Sequence, residues 1–75
     1  MLEGKSKYAI RLWYFRNLSN ISQQELADKA GCSQAIIAKI ESGTRTLSID
    51  QAIPIAKALN ITLDTFLAEE ITITI

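Results

Sequence analysis

Gln23-Gln24-Glu25-Leu26-Ala27-Asp28-Lys29-Ala30-Gly31-Cys32-Ser33-Gln34-Ala35-Ile36-Ile37-Ala38-Lys39-Ile40-Glu41-Ser42 is the stretch whose reading decides the fold. Just before it, Ser22 stands three residues ahead of Glu25. That is the spacing of a capping box, in which the serine oxygen takes a free backbone amide and the glutamate reaches back to the cap. A helix therefore starts at Gln23. Gly31 supplies the positive φ with which the chain turns, and Ser33 is placed to cap the next helix, Gln34 to Ser42. Ala27 is small where the two helices approach most closely, and Leu26, Ile37 and Ile40 fill the angle between them. These four residues read as core and nothing else.

Outward from this pair, Tyr8, Leu12 and Phe15 recur at helical spacing, which predicts a first helix from about Ser6 to Leu18 with Asn20 as its stop. On the other side Gly43 ends the Gln34 helix and Thr44 to Leu47 form a loop. Ser48 then caps a fourth segment with an inward stripe of Ile49, Ala52, Ile53, Ala56 and Leu59. Pro54 removes one helical hydrogen bond and clashes with the preceding turn, which predicts either a kink near Asp50 to Ile53 or a late start. Asn60 and Ile61 form a break, and Thr62 caps a short fifth helix containing Leu63, Phe66 and Leu67. The chain ends Ile71-Thr72-Ile73-Thr74-Ile75, a strict period-two alternation that reads as a short β-strand. The expected fold is all-α, five helices with a short C-terminal β-strand, in one domain spanning 1–75. A lone strand has no mate in a helical domain. The tail is therefore expected to pair with its copy in a second subunit, through Ile71, Ile73 and Ile75, or with a partner protein by strand addition.

Composition narrows the function classes. A chain of 75 residues closes one hydrophobic core. There is no histidine and a single cysteine, Cys32, so an internal disulfide is excluded and the usual metal ligand and general base are missing. With no carboxylate pair in a supporting context, no phosphate-binding glycine loop and no metal spacing, the expectation is a non-enzyme with no cofactor and no metal. No apolar run reaches the length of a membrane span, and Met1 to Lys7 lacks the apolar stretch of a signal peptide. The expected setting is the cytoplasm, with no membrane partner. The net charge is zero, but it is unevenly spread. Through Arg45 there are seven basic and four acidic residues, a net +3, and from Thr46 one basic and four acidic, a net −3. The first part alone suits phosphate.

From about Tyr8 through Leu67 the chain resembles the Cro and phage-repressor (XRE-like) family of helix-turn-helix domains. The resemblance rests on the Gln23 to Ser42 stretch and on Phe15-Arg16 ahead of Ile21-Ser22-Gln23. It extends to Ile40-Glu41-Ser42-Gly43 closing the third helix and Ile55-Ala56-Lys57-Ala58-Leu59 in the fourth. It implies a lambda-repressor-like fold and a DNA-binding transcriptional regulator, nucleoid-associated in a prokaryote or phage. In such domains the second helix points its N-terminus at the DNA backbone, where free amides favour a phosphate, and the third lies in the major groove. Carried onto this chain, the base-reading residues are Gln34, Ala35 and Lys39. Gln34 suits adenine, Lys39 guanine or a phosphate, and Ala35 with Ile36 the methyl groups of thymine. Gln23, Gln24, Ser33, Thr44 and Arg45 are expected at the backbone, with the Thr46 hydroxyl beside them. Outside this context Gln34 and Lys39 would read as solvated surface.

The resemblance also implies a partly buried Arg16–Glu41 salt bridge joining the first and third helices. Cys32 is expected as a half-buried filler of the turn, and Trp13, with Tyr14, at the rim of the core or in an interaction surface. The leading function is a sequence-specific transcriptional regulator acting as a homodimer on a palindromic double-stranded DNA operator, with half-sites roughly 34 Å apart. The alternative is an antitoxin-like or other protein-interaction module that uses the C-terminal strand.

Overall fold

Capping chemistry and left-handed residues divide the chain into helices. A computed structural model describes Lys7–Leu67, with side chains from Tyr8 onward, and contains α1 Lys7–Leu18, α2 Gln23–Ala30, α3 Gln34–Ser42, α4 Ile49–Ala58 and α5 Leu63–Leu67. The expected start of α1 at Ser6 and the C-terminal strand 71–75 lie outside the described residues.

Four of the five helices begin behind a hydroxyl cap. The Ser22 oxygen accepts from the Glu25 amide at 3.0 Å while the Glu25 carboxylate accepts from the Ser22 amide at 3.0 Å, closing the capping box. Ser33, Ser48 and Thr62 do the same for the amides of Ile36, Gln51 and Thr65. The stops are as uniform. Asn20, Gly31, Gly43 and Asn60 all adopt positive φ, at 57°, 75°, 84° and 60°. In each case the next residue's amide bonds five residues back, as in Ile21 to Arg16, Cys32 to Ala27, Thr44 to Lys39 and Ile61 to Ala56. A Cβ at Gly31 would have nothing within 4 Å, so a side chain there is opposed by backbone strain alone. Gly31→Ala should lower unfolding free energy by about 1–2 kcal/mol and Gly31→Asn by less, read from urea midpoints. Equal losses would show that φ is not the cause.

α2 packs on α3 and α4, α1 on α3 and α5, and α4 on α5. The core between them contains Leu12, Phe15, Leu26, Ala27, Ile37, Ile40, Ala52, Ile55, Ala56, Leu59 and Phe66. Ala27 is fully buried, as its place in the α2–α3 crossing requires. Tyr14 and Cys32 pack on the edge of the core, and Trp13 is half-buried.

The fourth helix differs from expectation. It starts at Ile49, directly behind its Ser48 cap, and continues through Pro54, so the proline does not delay it. The hydrogen bond it forgoes is to the carbonyl of Asp50, an exposed residue. The expected inward stripe also needs correction, because Ile49 and Ile53 are 55% and 49% exposed. The buried face is Ala52, Ile55, Ala56 and Leu59, an i, i+3, i+4, i+7 set that places Ile49 and Ile53 together on the flank.

Candidate nucleic-acid interface

α2 and α3 each begin with a glutamine, Gln23 and Gln34, and the two side chains meet across the turn. Gln34 Nε2 donates to Gln23 Oε1 at 2.7 Å, and Gln23 Nε2 donates to Glu41 Oε1 at 3.1 Å. Glu41 in turn accepts from Arg16 Nε on Oε2 at 2.6 Å and from Arg16 Nη2 on Oε1 at 3.0 Å. Arg16 Nη1 donates to the Ile21 carbonyl at 2.8 Å, in the loop before α2. The expected Arg16–Glu41 ion pair is thus present, bidentate, with side chains 12% and 7% exposed. It joins α1 to the end of α3, and the glutamines extend it to the start of α3.

Chemistry sets the direction of this relay. An ionised carboxylate only accepts, so Gln23 must turn its NH₂ to Glu41 and its carbonyl oxygen to Gln34. Gln34 must then meet that oxygen with its own NH₂. One Gln34 N–H and its Oε1 remain for a further partner on the same amide edge. That donor–acceptor pair matches the N7 acceptor and N6 donor of adenine in the major groove.

Gln34, Ala35 and Lys39 are all exposed and lie on one helix, as expected. Ile36 is half-buried and packs against the core, which leaves Ala35 as the freer apolar contact on this face. Of the other expected residues, Ser33 holds the Ile36 amide at 3.3 Å. Thr44 Oγ1 donates to the Lys39 carbonyl at 3.2 Å and lies 2.9 Å from Ser42 Oγ. The Arg45 amide donates to the same carbonyl at 3.1 Å, which carries the exposed Arg45 side chain just past the end of α3. Gln24, on the outer side of α2, donates to Asp28 at 2.8 Å. Burial pushes the Cys32 thiol up, the Arg45 charge opposing this more weakly, so the group stays a protonated filler at neutral pH.

Sequence reading treated Gln23 only as a backbone-contacting residue and missed its link to Gln34. The signal was present, since each is the first residue of its helix and the two helices adjoin.

The family model for helix-turn-helix domains matches residues 14–66, most of the chain. The chain belongs to the helix-turn-helix family of transcriptional regulators. Among the relatives of this helix-turn-helix protein is an HTH-type transcriptional regulator of Methanocaldococcus jannaschii, 38% identical over 61 residues, covering 80% of this chain and 92% of that protein. The control protein C.SmaI of Serratia marcescens is 32% identical over 56 residues, covering 75% of this chain and 67% of that protein. The crystal structure of the restriction-modification controller protein C.AhdI from Aeromonas hydrophila superposes with a TM-score of 0.78 at 28% identity, covering 81% of this chain and 88% of that one. The five-helix, lambda-repressor-like architecture expected from the sequence agrees with this likeness. No helix among the described residues is long and apolar enough to cross a membrane.

Proposed function

We propose that this regulator binds double-stranded DNA as a symmetric dimer, with α3 in the major groove and Gln34 reading adenine. The observation that carries the reading is the relay from Arg16 through Glu41 and Gln23, which leaves Gln34 one free donor and one free acceptor side by side. Lys39 reads a guanine or a phosphate and Ala35 packs on a thymine methyl. The amides at the starts of α2 and α3, with Gln24, Ser33, Thr44 and Arg45, hold the phosphates and set the register.

Dimerisation follows from affinity. A single module covers only about 600–1,000 Å² of interface, and a chain with no net charge gains little from general attraction to DNA. Two copies on a palindrome double the contacts, and the alternating Ile71, Ile73 and Ile75 are suited to join them by strand pairing. A reducing cytoplasm suits the unpaired thiol of Cys32.

Site selection from random DNA tests the reading. The expected product is a palindrome with A·T pairs under Gln34 and binding that weakens with salt. G·C-rich half-sites, or a tight protein partner without DNA affinity, would overturn it. Truncation after Glu70 should shift the chain towards monomer in sedimentation and weaken operator binding. An unchanged dimer would remove the strand from this role.

A further inference from the structure

α4 carries two of the three exposed large apolar side chains among the described residues, Ile49 and Ile53. They lie one turn apart on the flank that is left when Ala52, Ile55, Ala56 and Leu59 turn to the core. A single exposed isoleucine is ordinary, but here the apolar surface continues. Ile49 borders a groove lined also by Tyr8, Leu47, Ala52 and Leu67. A contiguous apolar flank of this kind is suited to be covered by another surface.

The charges beside the flank identify that surface. Asp50 and Lys57 are both exposed on α4, and a spacing of seven residues places them on the same side of the helix. They stand roughly 10 Å apart along its axis, so they do not pair with each other, and neither has an ion-pair partner among the described residues. Lys57 is the only basic residue after Arg45, and it follows Ile49 and Ile53 at the next four-residue step. A second copy of the helix, laid antiparallel, supplies what each charge lacks. With Ile53 opposite its own copy, Ile49 and Asp50 of each chain face Lys57 of the other. The lysine stem then covers the isoleucine while its ammonium reaches the carboxylate. A parallel arrangement would set Asp50 against Asp50 and Lys57 against Lys57, which is repulsive. The flank is thus self-complementary in the sense that a twofold axis requires.

We propose that α4 pairs antiparallel with α4 of a second copy of this chain, with Ile53 on the twofold axis between two Asp50–Lys57 ion pairs. The contact rests on the dimer reading above and deepens it, but it needs neither DNA nor residues 71–75.

Sedimentation equilibrium of the full 75-residue chain without DNA tests it. Ile53→Glu should raise the dimer dissociation constant about 100-fold or more, because two carboxylates then meet on the axis. Its urea midpoint, measured where the chain is monomeric, should stay nearly unchanged, since the side chain is 49% exposed. Asp50→Lys and Lys57→Asp should each weaken self-association about tenfold or more. Mixed together, these two variants should form a heterodimer about as tight as the parent dimer, because both ion pairs again join opposite charges. The control mixes Asp64→Lys with Lys29→Asp, exposed charges on α5 and α2, each of which should dimerise like the parent. A dimer that survives Ile53→Glu, or charge variants that associate no better mixed than alone, would overturn the α4 contact and leave the dimer reading standing. The same pattern in the control pair would trace the effect to overall charge and equally overturn the contact. A parent chain that stays monomeric at high micromolar concentration would overturn both and assign the flank to a different partner.

Discussion

Glu41→Ala should destabilise the domain by about 3–5 kcal/mol, the usual consequence of removing one partner from a buried ion pair. The carboxylate accepts from Arg16 Nε, Arg16 Nη2 and Gln23 Nε2, so its loss strands a cation whose side chain is only 12% exposed. A domain of this size has a total stability near the lower end of about 5–15 kcal/mol, so the variant should be largely unfolded in mild denaturant. Replacing both partners by apolar residues, Arg16→Met with Glu41→Leu, should recover much of the loss, because no charge is then left without its mate. Urea titration followed by circular dichroism reads both variants. A loss below about 1 kcal/mol, the range of exposed surface pairs, would show that water screens this pair and that it does not hold α1 to α3.

The second large effect falls on DNA rather than on folding. Gln34 is exposed at the first position of α3, so Gln34→Ala should leave the urea midpoint nearly unchanged. It should weaken binding to the selected site by about 1–3 kcal/mol, roughly 5- to 150-fold, and remove discrimination at one base pair per half-site. Gln23→Ala should loosen the same discrimination without touching a base, because Gln34 would lose the acceptor at 2.7 Å that orients its amide. Fluorescence anisotropy on the operator and on its single-base variants distinguishes the two. If Gln34→Ala kept both affinity and base preference, the readout would belong to Ala35, Lys39 or the shape of the DNA. Lys39→Ala, by contrast, should weaken binding to all sequences alike if its partner is a phosphate.

Local signals carried most of the fold. Ser22 with Glu25, Ser33, Ser48 and Thr62 announce helix starts because a hydroxyl or carboxylate near the first turn satisfies amides that have no partner inside the helix. Gly31 and Gly43 announce ends because only glycine adopts positive φ without cost, and Asn20 and Asn60 serve the same turn as the residue type next most tolerant of it. α4 shows where such reading stops. The period of its apolar residues was correct, but two overlapping stripes satisfy it, and only packing against α2 and α5 selects Ala52, Ile55, Ala56 and Leu59 over Ile49 and Ile53. Pro54 raised a further ambiguity over where the helix starts, and in the folded chain it runs from Ile49 through the proline.

The candidate site divides in the same way. The family resemblance carried by residue types and order along Gln23 to Ser42 implied Gln34, Ala35 and Lys39, and all three are exposed on α3. The order in which the amides of Gln23 and Gln34 donate and accept is a property of the tertiary structure. It depends on a carboxylate seven residues beyond Gln34 that is held by an arginine from another helix. Arg11 follows the same rule. Its position in α1 reads as an ordinary charged residue, and only the folded chain shows its Nε and Nη1 buried without a hydrogen-bond partner. Thus the sequence by itself determined where helices begin, end and cross, because caps and left-handed turns act over three to five neighbouring residues. Which apolar flank is buried, which way a hydrogen-bond relay runs and which charge lacks a mate were decided by the tertiary structure, because these depend on groups far apart in the chain.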